Sequence, residues 1–178
     1  MKILGIGQKL EEKILRKKTE EFLFGKKGEV AIGKKKLSNN EVTALIQEMK
    51  KTMRHANGIG LSANQIGLSY RLFVAEVGAQ DGSKKFYAVF NPRLEKSEFK
   101  EKILLEEGCL SIPRTFGEVE RYKTVRLTGF DKFGRSLKIK AWGLLAHVLQ
   151  HEIDHLDGKL FIDKAKKIHK IPEEPSPH

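Results

Sequence analysis

The chain has 178 residues, 39% hydrophobic and 32% charged, which suits one globular domain, and no apolar stretch is long enough to cross a membrane. Its single cysteine, Cys109, excludes an internal disulfide and fits a reducing, intracellular compartment. The formal net charge of +11 comes with short lysine runs, which are either solvated surface or a surface that attracts a polyanion such as RNA.

The first well-marked element in chain order is a helix that begins at Ser38. Before it, residues 24–36 contain three glycines and no helical period, which is typical of a loop or a short hairpin. Ser38 and Glu41 form an S-x-x-E capping box, and the helix is expected to end at 57–58, an Asn-Gly pair. Between these signals the apolar residues keep a helical period: Val42, Leu45, Ile46, Met49 and Met53.

The middle of the chain is rich in predicted strands, and a second helix follows them. The strands are expected at 71–77, at 86–90 with a stop at Asn91–Pro92, at 102–105, at 124–130, and, after a turn at 131–134, through 137 and 139. The helix has a broad apolar face over 144–156 and ends before Gly158. This order predicts an α+β fold in which mostly antiparallel sheets pack around the last helix, with the earlier amphipathic helix added at the N-terminal side.

The last predicted helix carries the sequence H-E-I-D-H. On a helix, His151 and His155 lie one turn apart on the same face, so both imidazoles can reach one metal ion. Glu152 lies beside them, where the H-E-x-x-H pattern places a general base. The alternative is the polar flank of an ordinary helix. Asp154 and Asp157 are expected to face water or to cap the helix end.

Two histidines usually need a third protein ligand, with one coordination position left open. The acidic residues and histidines after His155 do not lie in a helical run that would turn back to the ion. Cys109, in E-G-C-L-S, is a better candidate, since a Cys-His-His set gives tetrahedral coordination with an open fourth position. The alternative for Cys109 is a small buried hydrophobic residue.

A third stretch, G-I-G-L-S-A-N-Q over 58–65, follows the first helix. It lacks the lysine of a phosphate-binding loop and the strand-to-helix setting of a dinucleotide fingerprint. It is either a helix cap with a tight connection, or the small-residue wall of a cleft in which Gln65 offers an amide donor.

Together and in this order, G-I-G-L-S-A-N-Q, E-G-C-L-S and Q-H-E-I-D-H-L-D-G resemble the peptide deformylase family, over roughly 38–162. The resemblance implies a metal-dependent hydrolase that removes the N-terminal formyl group from newly synthesised chains beginning with formyl-methionine. It implies Fe(II) as the ion, with zinc, nickel or cobalt as substitutes. It makes Cys109, His151 and His155 the ligands and Glu152 the acid/base.

The resemblance also assigns residues around this centre. The Gln65 amide and the Leu110 backbone N–H become oxyanion donors, and the Gly60 backbone pairs with the main chain of the substrate. Ser62 stands where many members have alanine, and its small size predicts little effect. Glu107 is expected to form a structural pair with Arg121, with a surface position as the alternative. The substrate pocket is expected to include Ile59, Phe116, Leu144, His147 and Val148.

The resemblance predicts one catalytic domain over 1–170, and the proline-rich end predicts a flexible tail over 171–178. A monomer is expected, in the cytoplasm or in an organellar stroma or matrix. Formyl-methionyl nascent peptides are the expected partners, and the positive charge predicts electrostatic association with the ribosome. Two alternatives stay open: another H-E-x-x-H zinc hydrolase or peptidase, and a catalytically silent deformylase-like protein that binds the ribosome.

Overall fold

The structure, a computed structural model, describes residues 1–25, 29–78, 82–95 and 100–172. Within these ranges it has three α-helices, α1 (Lys9–Leu15), α2 (Asn39–His55) and α3 (Gly143–Leu156), and 3-10 segments at Ala63–Ile66 and Phe161–Asp163. Of the tail predicted to be flexible, 173–178 lies outside the described residues. The strands are β1 (Phe22–Phe24), β2 (Val30–Ile32), β3 (Lys35–Leu37), β4 (Gly60–Ser62), β5 (Leu72–Gly78), β6 (Lys84–Leu94), β7 (Lys102–Cys109), β8 (Ile112–Tyr122), β9 (Thr124–Phe130), β10 (Ser136–Trp142) and β11 (Ile168–Lys170).

The strands form three sheets in which every neighbouring pair is antiparallel. One sheet has the order β1-β2-β3, the second β10-β9-β6-β5-β4, and the third β11-β8-β7. The prediction of an α+β fold with antiparallel sheets is therefore confirmed. Strands β4 and β7 each lie at the edge of their sheet, which leaves one side of each backbone available to a further strand.

Local signals predicted several elements at the right place. Helix α2 begins after Ser38, whose Oγ accepts the Glu41 backbone N–H at 3.2 Å, while Glu41 Oε2 accepts the Ser38 N–H at 2.8 Å. The predicted strand over 124–130 is confirmed as β9. The segment 24–36 contains a hairpin of β2 and β3, although 26–28 lies outside the described residues.

The prediction of a strand end at Asn91–Pro92 is wrong. Strand β6 continues to Leu94, and its register against β9 shifts between Phe90 and Arg93. Asn91 adopts a φ of 47°, and its side chain accepts the Phe22 N–H and donates to the Phe22 C=O, both at 2.8 Å. The Asn-Pro pair therefore forms a bulge inside the strand, because a long-range contact supports it there.

Other elements were absent from the sequence predictions. These are α1, β1, β4, β8 and β11, and β7 runs beyond the predicted 102–105 to Cys109. Four of the missed elements are too short to show a period. Strand β8 is long, but Pro113 and Gly117 within it are residues that disfavour a strand assignment.

Helix α3 packs on the five-stranded sheet and is fixed there by buried apolar contacts. Ala146, Leu149 and Ile153 belong to one core cluster with residues of β5, β6, β9 and β10. This packing sets the direction in which the polar residues of α3 project, toward β4 and β7. None of the helices in the described ranges has the length and apolar character needed to cross a membrane.

Candidate metal centre

The side chains of Cys109, His151 and His155 converge on one point. Cys109 ends β7, and its Sγ lies 3.1 Å from His155 Nε2 on α3. The candidate ligand atoms of all three residues lie within 4.8 Å of one another. Ligand atoms about 2.0–2.3 Å from a shared tetrahedral ion would be roughly 3–4 Å apart. The three residues therefore fit one metal ion with a fourth position left open.

The electrostatics of the cluster favour a thiolate. Burial raises the pKa of Cys109, but His155 and His151 outweigh this effect and lower the pKa to about 5. Burial lowers the pKa of His151, but its hydrogen bonds with Cys109 and Glu107 raise that pKa well above the usual value. The thiolate is the form of cysteine that binds metal, so a cation is favoured at this point.

Glu152 is buried beside the histidines, with 2% of its surface exposed. Burial raises the pKa of its carboxyl group, and the nearby histidines and a hydrogen bond from Ser62 act in the opposite direction. The Ser62 Oγ lies 2.6 Å from Glu152 Oε2. A Cβ at Gly60 would overlap Glu152 Oε1 and would lie 3.1 Å from Val148 Cγ1, so a side chain at this position would displace the carboxylate.

The Gln65 amide is held at both ends. Its Oε1 accepts the backbone N–H of Ser62 at 2.8 Å, and its Nε2 donates to Ser111 Oγ at 3.1 Å. The same Nε2 lies 3.6 Å from Cys109 Sγ. These contacts aim the amide nitrogen, and not the oxygen, at the candidate metal centre. Nothing in the sequence predicted Ser111, because the two residues in this contact are 46 positions apart.

A cavity of about 650 Å³ opens over the centre, between the edge strands β4 and β7. Its volume lies within the range typical of small-molecule sites. His155 is almost fully buried and Arg121 lies in the core, so neither belongs to the lining. The other predicted catalytic, ligand and substrate residues line it together: Ile59, Gly60, Gln65, Cys109, Leu110, Phe116, Leu144, His147, Val148, His151 and Glu152.

Glu107 is buried, which excludes the alternative of a surface position. It is 3% exposed, and both of its oxygens accept hydrogen bonds from Arg121, at 2.6 and 2.9 Å. Its carboxylate also contacts His147 Nε2 at 2.7 Å and His151 Nδ1 at 2.9 Å. The contact to Nδ1 orients the His151 ring and leaves Nε2 for a metal ion.

Burial raises the pKa of Glu107, but the hydrogen bonds from His147, His151 and Arg121 outweigh it and hold the pKa well below the usual range. The carboxylate is therefore ionised and can accept a hydrogen bond from each of the two rings. The position of His147 beside Glu107 was not predicted. The sequence does contain a signal for this position: His147, His151 and His155 are spaced by four residues, which places all three histidines on one helix face.

The prediction that Asp154 faces water or caps the helix is wrong. Asp154 is buried, its Oδ2 accepts a short hydrogen bond from Arg121 Nη1, and Lys164 Nζ contacts its two oxygens at 2.6 and 2.7 Å. Arg121 thus joins two buried carboxylates, one on β7 and one on α3. Asp157 lies at the end of α3, as predicted, and pairs with Arg71 at 2.8 Å.

An α+β fold of antiparallel sheets that brings a Cys-His-His ligand set and a buried glutamate to one cavity is consistent with a metal-dependent hydrolase. The family model described as "Polypeptide deformylase" matches residues 8–171. The chain therefore belongs to the peptide deformylase family, which is a family of enzymes.

Relatives and solved structures agree with this assignment. A peptide deformylase of Pelotomaculum thermopropionicum is 44% identical over 137 residues, which cover 76% of this chain and 84% of the relative. A crystal structure of a probable peptide deformylase from Synechococcus phage S-SSM7 matches with a TM-score of 0.76 and 36% identity, over 92% of this chain and 99% of that one. A peptide deformylase from Synechococcus elongatus, solved in complex with actinonin, matches with a TM-score of 0.76 and 31% identity, over 93% of this chain and 80% of that one.

Proposed function

We propose that the chain hydrolyses the N-terminal formamide of formyl-methionine on newly synthesised polypeptides in the cytoplasm and releases formate. The observation that carries this proposal is the convergence, beside one cavity, of a metal ligand set, a buried carboxylate and an oriented amide donor. These three components together suit amide hydrolysis, in which a water loses a proton, a carbonyl is polarised and an oxyanion is stabilised.

Cys109, His151 and His155 would hold the divalent ion. When bound, such an ion supplies Lewis-acid polarisation of the formyl carbonyl and lowers the pKa of a water molecule. One thiolate and two imidazoles suit several first-row metals, and the resemblance to the family favours Fe(II) as the native ion, with zinc, nickel or cobalt as substitutes.

Glu152 would move the proton. Its carboxylate takes a proton from the attacking water, whose oxygen bonds to the formyl carbon, and returns it to the amine as the C–N bond breaks. Negative charge develops on the formyl oxygen during the attack. The Gln65 Nε2, which the contacts to Ser62 and Ser111 hold in place, and the Leu110 backbone N–H would stabilise that charge.

The two sheet edges would bind the substrate main chain. An extended peptide can pair with an exposed edge strand, and β4 brings the Gly60 backbone to the cavity. The missing Cβ at Gly60 lets that backbone approach Glu152 closely. The methionine side chain would occupy the part of the cavity that has apolar walls and one imidazole: Ile59, Phe116, Leu144, His147 and Val148.

Formate release from formyl-Met-Ala-Ser, measured without oxygen and with metal content determined on the same sample, tests reaction, substrate and ion together. We expect formate in proportion to bound metal. The competing reading, a metallopeptidase that uses only H-E-x-x-H, predicts cleavage of internal peptide bonds and indifference to Cys109→Ala. Formate release that Cys109→Ala abolishes together with the bound metal would exclude it.

We further propose that 1–170 acts as one monomeric catalytic domain and that its positive charge attracts the ribosome, where the substrate emerges. The net charge of +11 supports the second proposal, since long-range attraction raises the rate of encounter with a polyanion. A catalytically silent ribosome-binding protein is disfavoured, because the ligand set, the carboxylate and the amide donor are all present.

A further inference from the structure

Ser62 contacts two of the groups that act in the proposed reaction. It ends β4 and is fully buried, with 0% of its surface exposed. Its Oγ lies 2.6 Å from Glu152 Oε2 and 3.0 Å from the Glu152 backbone oxygen. Its backbone N–H donates to Gln65 Oε1 at 2.8 Å. One residue therefore contacts both the carboxylate that would move the proton and the amide that would stabilise the oxyanion.

The chemistry of a hydroxyl group fits the two states of that carboxylate. A hydroxyl donates one hydrogen and can accept others. While Glu152 is ionised, Ser62 can donate to Oε2. When Glu152 carries the transferred proton, Oε2 can donate it to Ser62 Oγ while the hydroxyl hydrogen turns to the backbone oxygen. Both arrangements use atoms that are already within hydrogen-bond distance, so the carboxyl group need not move.

The small size of the Ser62 side chain alone predicts little effect at this position. We propose instead that Ser62 is a positioning residue, whose hydroxyl holds the Glu152 carboxyl group at the candidate centre before and after proton transfer. This inference rests on the proposed function, since it assumes that Glu152 moves the proton. It adds a residue that acts through Glu152 without itself touching the formyl group.

The test compares Ser62→Ala with the wild type in the formate-release assay, on metal-loaded protein. Loss of a hydrogen bond to a charged group predicts a kcat lower by about 10- to 100-fold. The KM for formyl-Met-Ala-Ser should stay within about twofold and the metal content unchanged, because Ser62 does not itself line the cavity and its hydroxyl is hydrogen-bonded to Glu152, which is not a candidate ligand. A role in folding alone would not separate kcat from KM in this way.

Two further variants sharpen the comparison. Ser69→Ala removes a buried hydroxyl that has no hydrogen-bond partner in the part of the chain that the structure describes, so its kcat should match the wild type. Ser62→Thr keeps the oxygen and should recover most of the kcat lost in Ser62→Ala.

The outcomes separate this inference from the function on which it rests. If the wild type releases no formate, the proposed function fails. If the wild type releases formate and Ser62→Ala has the same kcat, only the positioning role of Ser62 is overturned. An unchanged kcat with a raised KM would overturn it too, because Ser62 would then act on substrate binding.

Discussion

Glu152 lies within reach of the ligand set and yet is not one of the three candidate ligands. Glu152→Gln should therefore keep the metal and the fold, while kcat falls by about 10²- to 10⁴-fold, because an amide cannot take a proton from water. Metal content and formate release are measured on the same sample. Glu120→Gln, the same change at an exposed carboxylate of β8, should leave kcat unchanged. Turnover near the wild-type rate in Glu152→Gln would exclude the proposed role.

Arg121 is the cation between the buried carboxylates of Glu107 and Asp154. Arg121→Met should lower the free energy of unfolding by about 3 kcal/mol, since it leaves both carboxylates without their main partner while Lys164 and the histidines remain. Urea unfolding of metal-loaded protein measures the loss. Arg93→Met removes a guanidinium from the exposed pair with Glu21 and should have a much smaller effect. Equal losses in the two variants would contradict this account of the network.

The site residues differ in how far the sequence alone could predict their role or position. His151, Glu152 and His155 lie within five positions, so a helical period alone brings them together. The choice of Cys109 drew on a ligand count and on a family resemblance, since nothing local connects it to α3. The contacts of Asp154 and Ser62 depend on how strands pack against that helix, and their sequence neighbours carry no such information.

At the scale of secondary-structure elements, the bulge in β6 depends on one side chain. Asn91→Ala should lower the free energy of unfolding by about 3 kcal/mol, because it leaves two buried backbone groups of Phe22 unpaired and places alanine at positive φ. Asn57→Ala is the matched control. Asn57 also has a positive φ, of 55°, and its side chain has no hydrogen-bond partner among the described residues. It should lose about 1 kcal/mol, and an equal loss in both variants would show that the Phe22 bonds contribute nothing.

Elements with complete local signals could be predicted, and elements set by distant contacts could not. The capping box of α2 and the period of 124–130 lie inside their own segments. Strand β4 has three residues and is a strand only because it pairs with β5. The extension of β6 through Asn91–Pro92 depends on β1, which is far away in sequence. The Asn-Pro pair, which predicts the end of a strand, therefore forms a bulge within β6.

At the scale of the whole molecule, the class of fold could be inferred and the position of the cavity could not. An order of helix, strands and helix predicts α+β packing, but it does not say that β4 and β7 belong to different sheets. That division leaves two sheet edges, which both contribute residues to the cavity beside the ligand set. The cavity is therefore a property of sheet order, which follows from long-range pairing and not from local propensity.

The net charge of +11 is a further property of the whole molecule. If it attracts the ribosome, the fraction that sediments with ribosomes should fall steeply as salt rises from about 50 to 200 mM, because each phosphate contact releases counterions. Lys166→Glu with Lys167→Glu reverses charge at two exposed side chains and should weaken binding. Formate release from formyl-Met-Ala-Ser should not change, since this short peptide is not a polyanion and does not need the ribosome for binding. Binding that does not vary with salt would exclude an electrostatic origin.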